Sequence, residues 1–242
     1  MTTALFEPLP LQPVGVIHSP FREKFGIPRQ PGLLPDVPAT LELLPPYDDP
    51  DCVRGLDGFS HLWLIFQFHA VSAGQWQPLV RPPRLGGNAR MGVFASRSTH
   101  RPNSLGLSVV RLVKVETEEG VRLHISGADL LDGTPIFDIK PYLPYADAIA
   151  GAVAAYAAEA PAAKLHVAFT EQAREECERH KKTYGLDIAL LIRRMLELDP
   201  RPAYHADSRR QYGFRLADYD VRWVVEGDRA EVLALVPVSP LK

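Results

Sequence analysis

The chain has 242 residues, 46% of them apolar, and a formal net charge of −2, enough to bury one large core or two modest ones. No stretch nears the ~20 apolar residues of a membrane span, and the opening Met1-Thr2-Thr3-Ala4-Leu5-Phe6-Glu7 lacks the basic region and apolar run of a signal peptide, so the expected compartment is the cytosol, with no membrane partner. Cys52 and Cys177 stand far apart without CxxC spacing, which argues against both a disulfide framework and a zinc ribbon.

In chain order, β-rich or alternating runs bounded by Gly, Pro and Asp come first: Val14 to Ile17, Ala39 to Leu43, His61 to His69, Met91 to Ala95, Leu107 to Val115, Val121 to Ser126, and Pro135 to Ile139. Short strands without intervening helices predict an antiparallel barrel or sandwich and exclude a doubly wound sheet. The connections Pro28 to Pro38 and Leu79 to Asn88 are long for hairpins, and long loops on a barrel are where binding residues sit. Ala146 to Ala163 is alanine-rich and reads as a linker. Thr170-Glu171 opens a capped helix running through Lys182, and a second helix begins at Gly185 or Leu186 and ends at Leu198 before Asp199-Pro200. Tyr219 to Val225 and Ala230 to Pro237, joined at Gly227-Asp228, read as a closing hairpin. The expected organisation is therefore a mainly β barrel over 1–147 and a smaller α+β domain over 148–242.

The charges are segregated. From Gly58 to Val115 there is no Asp or Glu, while Arg81, Arg84, Arg90, Arg97, Arg101, Arg111 and Lys114 make the stretch +7 and leave the remainder at −9. Arginine forks suit phosphate and carboxylate, so the asymmetry points to an anionic partner; surface arginines paired with acids from elsewhere in the fold are the competing explanation. Within that stretch, Met91 to Ser108 runs from a strand into a polar loop holding Ser96, Arg97, Ser98, Thr99, Arg101 and Asn103. One surface there offers guanidinium, hydroxyl and amide groups together, unless the side chains only tie down their own Arg-Pro-Asn turn.

In the segment Leu131 to Tyr145, an Asp132-Gly133 turn precedes a short strand on which Asp138 and Lys140 share a face. Asp132 suits a ribose hydroxyl. Lys140, Tyr142 and Tyr145 suit a stacked base and its phosphate, and the tyrosines would equally serve a core. His61, Trp63, Ile65, Gln67 and His69 fall on one strand face, but the two histidines are too far apart along it to share a metal. The Gly86-Gly87 pair lacks the strand-to-helix context of a dinucleotide loop, and no GxxxxGK[ST] motif occurs.

Several of these segments together resemble one family, the TsaA-like or TrmO tRNA adenosine N6-methyltransferases. They are Pro28-Arg29-Gln30-Pro31-Gly32, Gly58 to Trp63, Gly92 to Ser98, Arg101-Pro102-Asn103, and Asp132-Gly133-Thr134-Pro135 through Tyr145. Asp199 to Tyr204 and Asp220 to Trp223 resemble the C-terminal domain of bacterial members. The resemblance implies a β-barrel methyltransferase, neither Rossmann nor knotted, that works as a homodimer and uses S-adenosylmethionine. It implies N6-methylation of N6-threonylcarbamoyladenosine at position 37, beside the anticodon of a threonine tRNA. Carried over motif by motif, the cofactor positions are Pro28, Arg29, Gln30, His69, Ala70, Arg97, Leu107 and the turn Asp132, Gly133, Thr134, Pro135. Ser96 and Ser104 depart from the Thr and Pro of the family's Ala-Thr-Arg and Arg-Pro-Asn-Pro runs.

An N6 nitrogen conjugated to a carbamoyl group is a poor nucleophile until it loses its proton, so a general base is expected, with Asp138 and His69 as candidates. Arg81, Arg84, Arg90, Arg101, Asn103, Lys140, Tyr142 and Tyr145 are the expected RNA contacts. Two other classes fit the residues: an RNA-binding module without catalysis, and a methyltransferase for a small molecule.

Overall fold

The computed structural model describes residues 9–71, 74, 76–85, 89–201 and 210–238. The opening Met1 to Glu7, the Gly86-Gly87 pair and the Pro202 to Tyr204 part of the C-terminal motif lie outside the described residues. The barrel strands are β1 (Gly15–His18), β2 (Pro38–Leu43), β3 (His61–Gln67), β6 (Leu105–Glu116), β7 (Arg122–Ser126) and β8 (Pro135–Pro141); the small hairpin β4 (Leu79–Val80) and β5 (Met91–Gly92) lies between β3 and β6 in the chain. After a short helix α1 (Pro144–Asp147) come β9 (His166–Phe169), α2 (Glu171–Tyr184), α3 (Ile188–Glu197), β10 (Tyr212–Leu216), β11 (Tyr219–Glu226) and β12 (Arg229–Pro237).

The six barrel strands close in the order β1-β2-β7-β6-β3-β8, all pairs antiparallel. Strict alternation drives the closure. In β3, Leu62, Leu64 and Phe66 are buried inside, and His61, Trp63, Ile65 and Gln67 point out. Leu41, Leu123, Ile125, Val110 and Ile136 complete the barrel interior.

The second unit is a four-stranded sheet, β10-β11-β12-β9, with β9 parallel to β12 and two helices packed on it. Thr170 caps α2 by accepting the Ala173 amide at 3.2 Å, and Gly185, at φ 73°, ends it in the left-handed conformation that costs glycine nothing. Asp187 caps α3 through the Leu190 amide at 3.0 Å. Ile188, Leu191, Ile192, Met195 and Leu196 then form a buried stripe of helical period.

Several local features differ from the sequence expectation. The strand expected over Met91 to Ala95 pairs only at Met91–Gly92; Ser96 Oγ then donates to the Val93 carbonyl at 2.9 Å and closes a 3-10 turn. The His61 run stops pairing at Gln67, so His69 lies in a turn beyond the strand. Strands β9 and β10 were not expected: β9 is four residues long with little alternation, and its partner β12 is distant in sequence.

The two units share a core. Phe21, Leu34 and Val37, all from the β1–β2 loop of the barrel, are buried in the same cluster as Trp223, Phe214 and the α3 stripe. Backbone bonds continue the contact: Phe21 bridges Leu216, and the Ala217 amide donates to the Pro20 carbonyl at 2.7 Å.

Candidate active site

Antiparallel pairing fixes which loops meet. β1, β3 and β7 end where β2, β6 and β8 begin, so the connections 19–37, 68–104 and 127–134 all emerge at one end of the barrel. They are stitched together there. The Ser19 amide donates to Asp132 Oδ1 at 3.0 Å, and Ser19 Oγ donates to the Leu130 carbonyl at 2.7 Å. The Asp132 amide donates to the Phe21 carbonyl at 2.9 Å, and Gly32 donates to the Gly127 carbonyl at 2.9 Å. Arg97 reaches across to donate to Gln30 Oε1, and the Phe68 amide donates to the Ser104 carbonyl at 2.8 Å.

Every position in the expected cofactor set falls at this end. Pro28 is buried, Arg29 and Gln30 follow it, and His69 and Ala70 lie exposed just past β3. Leu107 is the third residue of β6, 54% exposed on the outer wall beside Ile65. Thr134 is buried, its hydroxyl donating to the Leu131 carbonyl at 2.6 Å, while Gly133 takes φ 76° to make the turn before Pro135. Asp132 also pairs with Arg22. Burial pushes the His69 imidazole below its usual value; the Gln67 carbonyl and Asp132 oppose that shift and Lys24 reinforces it. Burial likewise lowers Arg29, against the field of Asp199. Asp199 belongs to the second unit, where it binds Arg201 at 2.8 Å; burial works to raise its carboxyl, and Arg201 outweighs that and leaves it below the usual range.

The donor set fits the cofactor that the resemblance implies. Arg97 can supply a fork for an α-carboxylate, Asp132 keeps lone pairs for a ribose diol, and Leu107 and the prolines offer apolar walls.

Other expected residues are placed differently. Asp138 lies on the outer wall opposite Ile65, past a bulge in β8; its carboxylate accepts the Ile139 amide at 2.9 Å and pairs with Lys140 at 3.6 Å. Tyr142 packs near Trp63, ring centroids 5.9 Å apart, and lines a pocket of about 430 Å³ with His61, Trp63, Val109 and Asp147. Tyr145 is 88% exposed. Arg81 and Arg90 are exposed, whereas Arg84 donates to the Glu159 carbonyl at 2.5 Å. Arg101 donates to the Ser96 and Ser98 carbonyls at 3.2 and 3.4 Å, so part of the loop's polarity does tie down its own backbone. Asn103 and Ser104 take φ 62° and 49°, and the Ser104 amide donates to the Pro102 carbonyl at 2.7 Å; a proline at 104 would lose both the donor and that φ.

The sequence reading passed over Asp129 and Ser108. Ser108 is an inward-facing position of β6, 1% exposed, and its hydroxyl donates to Asp129 Oδ1 at 2.6 Å. Burial raises the Asp129 carboxyl to about 6, against the Ser108 hydroxyl, its own amide and the charge of Arg97. Two signals marked the pair: an acid inside the apolar run Ala128 to Leu131, and a serine on the core-facing register of a strand.

Comparison with known proteins agrees with this architecture. Residues 16–148 match the tRNA-methyltransferase O N-terminal domain and residues 162–238 the TrmO C-terminal domain. The chain is 49% identical over 227 residues to the tRNA (adenine(37)-N6)-methyltransferase of Escherichia coli, covering 93% of this chain and 96% of that one. It is 51% identical over 214 residues to a putative S-adenosylmethionine-dependent methyltransferase, RcsF, of Pseudomonas aeruginosa, covering 88% and 91%. A crystal structure of TrmO from Pseudomonas aeruginosa superposes with a TM-score of 0.80 at 43% identity, covering 95% of this chain and 99% of that one. With both of its units matched and near-full-length relatives at about half identity, the chain belongs to the tRNA-methyltransferase O family.

Proposed function

We propose that this protein transfers the methyl group of S-adenosylmethionine to N6 of adenosine 37 in tRNA. The observation that carries the reading is the convergence, at one end of the barrel, of every segment in the cofactor set, within a chain whose relatives are named for that reaction. When bound, the sulfonium supplies an electrophilic methyl. The protein's part is to align donor and acceptor: Arg97, braced by Gln30, holds a carboxylate, and the Asp132 turn holds a ribose.

The finer substrate is N6-threonylcarbamoyladenosine in a threonine tRNA. A site built to pair the threonyl carboxylate leaves a buried charge unmatched when that group is missing, which is how polar sites reject truncated substrates. Residues 1–147 carry the cofactor and 148–242 support the loop around Phe21 and contribute RNA contacts. The chain works as a homodimer in the cytosol. The outer wall of β6, β3 and β8 supports the dimer, because alternation there puts Leu107, Val109, Trp63 and Ile65 where a solvent-facing barrel carries polar residues. No helix among the described residues is long and apolar enough to cross a membrane.

Mass spectrometry of tRNA nucleosides after incubation with the protein and methyl-labelled cofactor tests the reading. Label is expected in N6-methylated threonylcarbamoyladenosine and absent from transcripts lacking the threonylcarbamoyl group. Equal labelling of both would show that the carboxylate is not read, and no labelling would remove the reaction.

A further inference from the structure

Among the acids at or near the loop end of the barrel, Asp129, Asp132, Asp138 and Asp199 differ in what occupies them. Asp132 is held by the Ser19 amide and Arg22, Asp138 by its own strand and Lys140, and Asp199 by Arg201. Asp129 is different: its donors are neutral, and among the described residues no cation pairs with it. It sits at the rim, two residues past the Gly127 that ties this loop to Gly32 and Val37, and it is partly covered, not sealed in. Its donors are the Ser108 hydroxyl at 2.6 Å, reaching up from inside the barrel, and its own amide. A carboxylate offers about four lone-pair positions, so two acceptor positions stay open. The charged group whose field reaches it is Arg97 on the opposing loop, the same side chain that Gln30 braces.

Such a group meets the requirements of a proton acceptor for an N6–H. A base is most effective when it ionises near the working pH and is fixed in place without having its lone pairs used up. Burial raises the Asp129 carboxyl to about 6, which leaves it ionised at neutral pH yet far more basic than an exposed aspartate. Ser108, locked in the barrel wall, fixes the orientation through one oxygen.

Resting on the methyl-transfer reading above, we propose that Asp129 is the general base: one carboxylate oxygen stays bonded to Ser108 while the other takes the N6 proton. As the proton leaves, the N6 electron pair forms the new bond to the methyl carbon, the carbon–sulfur bond breaks, and its pair stays on sulfur as a neutral thioether. The protonated Asp129 then returns its proton to solvent before the next turnover.

The experiment has two arms on the full-length protein. In the first, carboxyl carbons of aspartate are labelled with ¹³C and titrated by NMR without cofactor, with Asp129→Asn assigning the signal; a midpoint near 6 is expected, and one near 4 overturns the inference. In the second, single-turnover methylation of modified tRNA is followed against pH. Wild type is expected to show an acid limb with the NMR midpoint. Asp129→Asn should bind S-adenosylmethionine by calorimetry within about threefold of wild type, yet lose about 10²–10⁴-fold in rate together with the limb. Ser108→Ala, which keeps the carboxylate and removes a bond to its charged form, should move both midpoints upward. Transfer by Asp129→Asn within tenfold of wild type, or an unchanged limb, overturns the inference alone. Absence of transfer by the wild type overturns the methylation reading and the inference with it.

Discussion

At the scale of single residues, two side chains at the barrel rim divide affinity from ionisation. Arg97 is exposed and braced by Gln30, so its guanidinium is oriented before any ligand arrives. Removing a hydrogen bond to a charged group costs about 1.5–3 kcal/mol, so Arg97→Ala should weaken S-adenosylmethionine binding by about 10- to 150-fold in calorimetry. Arg97→Lys should recover only part of that, since an ammonium cannot use the fork; full affinity in a folded Arg97→Ala would place the carboxylate elsewhere. Asp129 carries a stability signature of its own. Its folded carboxyl, raised to about 6, favours the protonated form, so its contribution to stability is fully present below about pH 4 and is lost as pH rises through 6. Above pH 7 the ionised carboxylate costs the fold about 3 kcal/mol. The asparagine variant should therefore melt higher than wild type at pH 8, with the difference shrinking as pH falls through 6 and closing only below about pH 4 in thermal scans. A difference that does not depend on pH would mean that the carboxyl is not raised.

At the scale of elements, the loop between β1 and β2 belongs to both units. Its Pro28-Arg29-Gln30 tip serves the barrel rim, while Phe21, Leu34 and Val37 are buried with the C-terminal helices and sheet. Phe21 is 1% exposed, and truncating a buried phenylalanine costs about 3–5 kcal/mol. Phe21→Ala should lower the melting temperature and also weaken cofactor binding, because the loop that positions Gln30 loses its seat on Leu216; a stability loss with unchanged affinity would separate the two units functionally. This shared core also marks where sequence stopped being informative. The barrel strands were legible because alternation in runs such as His61 to Gln67 is strict, and the helices because Thr170, Asp187 and Gly185 cap them. β9 and the seating of Phe21 were not, since both depend on partners far along the chain. The Asp132 turn was visible as a motif. Asp129 was marked in the sequence by its place in the apolar run Ala128 to Leu131, but its pairing with the inward-facing Ser108 requires knowing that β6 closes a barrel.

At the scale of the whole molecule, a net charge of −2 conceals a basic stretch without acids between Gly58 and Val115, and the fold determines which of its cations are available to a polyanion. Arg101 is committed to the Ser96 and Ser98 carbonyls, and Arg84 holds the linker through Glu159. Arg81 and Arg90 stand at the two ends of the connection between β4 and β5, exposed and with no acid within their own stretch of chain. Each phosphate neutralised by such a cation releases condensed counterions, so the logarithm of tRNA affinity should fall linearly with the logarithm of salt. Arg81→Ala and Arg90→Ala should each reduce that slope by about one unit, leave discrimination between modified and unmodified tRNA intact, and leave cofactor affinity unchanged. Arg101→Ala should behave differently. By freeing the Ser96 and Ser98 carbonyls it loosens the loop that carries Arg97, so cofactor affinity should drop even without RNA. Titrations of fluorescent tRNA at several salt concentrations, paired with calorimetry of the cofactor, resolve the two behaviours. If Arg81 and Arg90 variants keep the full slope while Arg101→Ala loses it, the phosphate path runs through the cofactor loop, not along the hairpin.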